Sequence, residues 1–421
     1  MEERSNWDWE PGSRTVADLN RLKDDYVWVE EPYARPDGEA VAAVVNVDEG
    51  EFNVCVNGEP WESTYDKIWH LRYLADGRLF AIVSEMAEWT VTIDGVPWET
   101  KFGYVWNPLF SADGRHVAVS FQQDMEYGMA LDGNCWEQTF TTLTSSALSS
   151  DGRHTAAAVQ VAPFGEADIQ AFQKGCFTAA ADGKPWDQGF VNVWNMAFSP
   201  DGSRLAAEVR LTLYEYTIAV DGAAWNGAYN CVWEPVFHPA ADAVVAPVRI
   251  AGKWKLYQDD KPLWDRPFVQ LWRPCFSPDG GRLAAVVAPQ FGRWTVAVDG
   301  TPWSSTFRDM VTDVSFSADG RRVAALGKTG ASWQVAVDGK VWRNAFDMAW
   351  QPVFSADGAR VAAKVERKGA YTVAVDDRLW SRQCEAVWNP MFSPDGERLL
   401  IRAVEDGRYV RHVVPVAEIA G

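Results

Sequence analysis

The chain alternates short apolar runs with polar clusters. Val-Ala-Ala-Val-Val occupies 41–45, Leu-Phe-Ala-Ile-Val 79–83 and Leu-Ala-Ala-Val-Val 283–287. Runs of about five residues, apolar at successive positions, predict strands covered on both faces. The polar clusters between them are dominated by Asp-Gly, which predicts tight turns: Gly is free to take positive φ, and Asp can bond its own backbone.

These clusters repeat. An aromatic-Ser-x-Asp-Gly phrase occurs at 110–114, 198–202, 276–280, 316–320, 354–358 and 392–396, with looser copies starting at Tyr33, Tyr73 and Leu148 and a degenerate one at Phe237. The ten copies are spaced by 37–40 residues, except for one step of 50. A second phrase, Asp-Gly-x-x-Trp, falls between them, as at Asp94–Trp98 and Asp299–Trp303. Each unit therefore predicts four short strands. Strand a (Pro-x-Phe-Ser) turns through Ser-x-Asp-Gly into strand b (Arg-Leu-Ala-Ala-Val). Strand c (Trp-Thr-Val-Ala-Val) turns through Asp-Gly into strand d (Pro-Trp-x-x-x-Phe).

A four-stranded unit of this length, repeated without helices, predicts an all-β fold, a β-propeller. Ten units suggest either one ring of about ten blades or two tandem smaller propellers. No linker separates any two units, and the 50-residue step is lengthened inside unit four, at about 160–176. One ring is therefore expected. The expected organisation is an acidic arm over 1–26, a propeller over 27–421, and an insertion in the b–c hairpin of blade four. The last unit ends after strand c, so its strand d should come from the N-terminus, within residues 14–26.

The aromatic-Ser-Pro-Asp-Gly turn resembles that of the TolB-type and WD-like repeat families, over about residues 27–415. That resemblance implies a propeller and says little about function.

Composition sharpens this picture. The chain has 421 residues, 23 Trp and a net charge of −19. Such a charge repels phosphate backbones and argues against nucleic-acid binding. No apolar run approaches the roughly 18–20 residues of a membrane helix. The N-terminus lacks a secretory signal pattern, so a cytoplasmic protein is expected. Six Cys without Cys-x-x-Cys spacing read as reduced structural thiols.

By position, 21 of the 23 Trp belong to the repeat. Nine lie in strand d and four open strand c, where they are expected to fill the wedge between blades. Eight precede strand a: Trp28, Trp69, Trp106, Trp194, Trp233, Trp272, Trp350 and Trp388. They should lie on the face of the b–c hairpins, with the blade-four insertion and its Phe164 and Phe172. Trp7 and Trp9 lie outside the repeat, in a stretch where the first 60 residues hold 15 acids against 5 bases. These twelve aromatics are the candidate partner-binding residues. His116 and His154 occupy the basic slot that opens strand b and read as turn hydrogen-bonders.

No Gly-x-Ser-x-Gly elbow or His-Glu-x-x-His occurs. Neither catalytic nor metal residues are assigned, and no cofactor is expected. The leading expectation is a non-catalytic interaction or scaffold subunit. The alternative is an enzyme or metal site at the channel mouth. The Val-Trp-x-Pro-x-Phe-Ser-x-Asp-Gly and Val-Asp-Gly-x-Pro-Trp phrases, with this Trp load, resemble the tryptophan-rich subunit of the Tmc transmembrane redox complex of sulfate-reducing bacteria. That resemblance implies an accessory role in electron transfer, beside cytochrome and iron–sulfur subunits. It implies membrane association through those partners only.

Overall fold

The computed structural model describes residues 2–162 and 169–420. Ten antiparallel sheets follow one another along the chain, each in the order a-b-c-d. Strand makes up 54% of the chain and helix 4%. The fold is a ten-bladed β-propeller in one ring. Blade seven is typical: Gln270–Phe276, Leu283–Gln290, Arg293–Val298 and Thr301–Pro302. Strand d is two residues long, with or without proline, and the chain rejoins strand c five residues later through a bridge such as Trp294↔Phe307.

Two kinds of Asp-Gly turn recur around the ring. At a–b, Ser111 Oγ donates to Asp113 Oδ1 (2.6 Å), which also accepts from Arg115 N. These bonds hold the Asp113 carboxyl below the usual carboxylate range. At c–d the turn is type I′, with both central residues at positive φ, for example Asp338 at 51° and Gly339 at 76°. A Cβ on Gly339 would also meet Trp303 of the preceding blade at 3.1 Å. Trp61, Trp98, Trp136, Trp186, Trp264 and Trp303 thus pack beneath the next blade's turn. In blades six and nine, Asp replaces this Gly. Asp377 then accepts from Arg343 N and Asn344 N of blade eight, and Asp260 from Gly227 N and Tyr229 of blade five.

The same face carries a second set of bonds between blades. Arg322 donates to Asp338 of its own blade and to the Gly358 and Ala359 carbonyls of the next (2.9 Å each). His116 and His154 take this slot and lie 2.7 Å from Asp132 and Asp182. The apolar core lies between blades. Leu326 and Val335 of blade eight pack with Val361 and Val365 of blade nine.

Blade ten is closed by Gly12–Asp18, which pairs with Arg408–Pro415. The strand begins earlier than the expected 14–26 and ends at Asp18. There the Asp18 carboxylate accepts from Asn20 N and starts a short helix, Leu19–Asp25, which buries Leu19 and Leu22. The insertion in blade four holds the helix Ile169–Lys174. Cys55, Cys135, Cys231, Cys275 and Cys384 are free thiols.

Candidate functional site

The b–c hairpins and d–a connections form the face opposite the Asp-Gly turns. Strand a reaches it with its Trp, followed in most blades by a β-bulge. His70, Asn107, Asn195 and Arg273 hold the bulge at φ of 43–56°, on the exposed side of the ladder. Each Trp leans on the aromatic that opens strand c of its own blade. Trp69 meets Trp89 (4.3 Å between ring centroids), Trp106 meets Tyr127 (6.0 Å) and Trp194 meets Tyr216 (6.3 Å). Trp233 stacks on Trp254 (5.4 Å), and Trp272 tilts on Trp294 (4.5 Å). Trp350 and Trp388 meet Tyr371 and Tyr409. Seven expected Trp are therefore half packed and half presented, with Trp69 the most exposed.

Trp28 departs from the set. Glu30 N donates to Val44 O, as Trp233 N donates to Pro247 O, so Glu30 holds the slot in blade one. Trp28 lies two residues earlier, 48% exposed against the edge of Phe52. Thr144 and Thr312 hold the slot in blades four and eight.

The other candidates also differ from expectation. Trp9 is buried against Leu400 and Val413 of blade ten, with Trp7 stacked on it at 6.1 Å. Its indole Nε1 donates to Arg4 O (2.8 Å), and Arg411 donates to Asp8 O. The segment is thus strapped to blade ten by packing and hydrogen bonds, and does not present two free indoles. Phe172 lies in the insertion helix, half-buried. Phe164 lies outside the described residues.

Three charged side chains on strand b were not singled out by sequence. Opposite the Trp slot most blades carry apolar or small residues such as Val44, Ile82, Val286 and Leu326, but blades five, nine and ten carry Glu208, Lys364 and Arg402. A charge at an otherwise apolar repeat position was the available signal. Glu208 is 7% exposed and accepts from Asn195 Nδ2 at 2.9 Å. Burial, with Glu234 adding to it, pushes its carboxyl up to about 7. Lys364 Nζ stands 4.1 Å from the Trp350 ring centroid, and burial lowers its pKa. Arg402 is buried and donates to the Arg35 and Asn389 carbonyls. Between blades six and eight, Trp233, Trp272 and Met310 line a cleft of about 390 Å³ with Glu234 and Arg273 at its edge. Among the described residues no three His, Cys, Asp or Glu side chains converge as metal ligands.

The tips of the hairpins present further apolar groups. Met86, Met125, Tyr214 and Phe291 are 78, 76, 79 and 95% exposed. No described helix is long and apolar enough to cross a membrane.

No protein family matches the chain by profile, and no curated protein matches it in sequence. Among solved structures, a eukaryotic initiation factor is similar at 13% identity and a TM-score of 0.47, over 76% of this chain and 88% of that one. TolB from Acinetobacter baumannii is similar at 14% identity and a TM-score of 0.29, over 56% of this chain and 59% of that one. Neither likeness bears on activity.

Proposed function

We propose that this protein is a non-catalytic interaction subunit whose hairpin face docks other protein subunits. The observation that carries the reading is the set of exposed Met86, Met125, Tyr214 and Phe291, on the face that also holds the half-presented Trp. A rigid disc with apolar tips on one face suits a docking platform. The resemblance of its repeat phrases to the tryptophan-rich Tmc subunit points to an accessory, cytoplasmic place in a membrane-bound electron-transfer complex. Cytochrome and iron–sulfur subunits would be its partners, and the chain itself would hold no redox group. Deleting 161–174 should abolish co-purification with those subunits while the thermal midpoint stays near wild type. Retained co-purification would sink this reading.

One observation favours a second reading, an enzyme site at the channel mouth. Glu208 is an acid held near neutrality beside Asn195 and Glu234.

A further inference from the structure

The hairpin tips are sorted by charge around the ring. In blades one to three the hairpins (46–52, 84–89 and 122–127) carry seven acids and no base. Asp48, Glu49 and Glu51 stand on blade one, and Glu85 and Glu88, which share Lys101 at 3.9 and 3.3 Å, flank Met86 on blade two. Asp124 and Glu126 flank Met125 on blade three. In blades six to nine the hairpins (249–254, 289–294, 328–333 and 366–371) carry six bases and one acid. Arg249 and Lys253 flank the loop of blade six, and Arg293 follows Phe291 on blade seven. Blade eight has Lys328, and blade nine has Arg367 and Lys368 beside Glu366. A chain of net −19 thus gathers basic hairpin tips opposite its acidic ones, although Asp309 and Asp347 of the d–a connections accept from Gly330 N and Lys368 N in blades eight and nine.

Two acidic-arc turns are also strained. Met86 and Ala87 lie at φ of 50° and 64°, and Asp124 and Met125 at 52° and 66°. These are two-residue type I′ loops without the glycine that removes the steric cost. In blades six, nine and ten the second loop residue is Gly252, Gly369 or Gly407. Strain retained at a surface tip marks a side chain kept for contact.

We propose that this face seats on the same face of a second copy of the chain. The inference rests on the reading that this face is a docking surface, and it names one occupant. Place a two-fold axis in the plane between two facing discs. Let it pass between blades four and five on one side and nine and ten on the other. Blade three then meets blade six, two meets seven, one meets eight, and ten meets nine, each contact occurring twice. Every acidic hairpin meets a basic one. Asp124 and Glu126 face Arg249 and Lys253. Phe291 faces Met86, a pairing of aromatic ring and thioether. Asp406 of blade ten faces Arg367 and Lys368. One occupant therefore accounts for both arcs and for both kinds of apolar tip.

The test is reciprocal charge reversal, read by sedimentation of the full chain. The wild type should sediment at twice the chain mass at low ionic strength, where the Debye length is about 30 Å, and dissociate as salt is raised. Arg249→Glu with Lys253→Glu, and separately Asp124→Lys with Glu126→Lys, should each raise the dimer dissociation constant at least about tenfold. Mixing the two variants should restore the dimer, because both blade three–blade six contacts regain opposite charges. Phe291→Ser should also weaken it, and at 95% exposure the side chain has no part in folding. A monomeric wild type at low salt, or a mixture that stays monomeric, overturns the proposal. So does a monomer that floats with phosphatidylserine vesicles through the basic arc. A monomer that still co-purifies with redox subunits, and loses them on deletion of 161–174, leaves the docking reading standing.

Discussion

Glu208 occupies a strand-b position where Val44, Ile82, Val286 and Leu326 stand in other blades. Its partner Asn195 lies in the bulge of strand a, and Glu234 of the next blade adds negative potential. The folded carboxyl holds its proton to about pH 7, against 4.5 ordinarily. Its contribution to stability is therefore complete below pH 4.5 and is lost as pH rises to 7. His412 acts on the other limb. It is fully buried with Ser13 Oγ at 2.6 Å from Nδ1, and Nε2 lies 3.0 Å from Glu405 Oε1 outside hydrogen-bond geometry. Burial lowers its pKa, so stability falls as pH drops below the ordinary 6.5. Glu208→Gln should raise the unfolding free energy read from urea titration at pH 8, by about 3 kcal/mol at most, and leave it unchanged at pH 4. An equal shift at both pH values would show that the carboxyl is not buried with its proton.

The hairpin is where local chemistry and tertiary use part. On the turn face, Asp-Gly satisfies the type I′ loop and also clears room for the preceding blade's Trp, so local and global demands agree. On the hairpin face they conflict at Met86-Ala87 and Asp124-Met125. Replacing Met86-Ala87 by Asn-Gly should stabilise the fold by about 1–2 kcal/mol, read from chemical denaturation. The same change should weaken the proposed docking, and an unchanged midpoint would remove the strain argument. Element boundaries show the same limit. The sequence contains the closing strand, but nothing local marks Gly12 as its start. Only pairing with Val413 does so.

Closure is a property of the whole ring. Gly12–Asp18 covers the edge of Arg408–Pro415, which would otherwise stand unpaired. Trp9, at the arm's end of that strand, packs on Leu400 and Val413. Removing residues 1–10 should keep the ring but cost about 3–5 kcal/mol, the scale of deleting a buried aromatic. Removing 1–18 should expose the edge and abolish a compact species in gel filtration. If both truncations melt like wild type, the arm has no part in closure.

Sequence by itself determined the repeat, the four strands and their turns, and hence the propeller. Those features are local: period, alternation and Asp-Gly chemistry can each be read within one unit of about 38 residues. The Trp of strand a were legible as a class, because they recur at one position. Which of them truly shares that position was not, since Trp28 and Glu30 differ only in register against Val44. The burial of Trp9, the proton on Glu208 and the opposition of acidic and basic hairpins were decided by the tertiary structure alone. Each depends on bringing together residues from different blades or from the two chain ends. No local pattern records where a closed ring will place its neighbours.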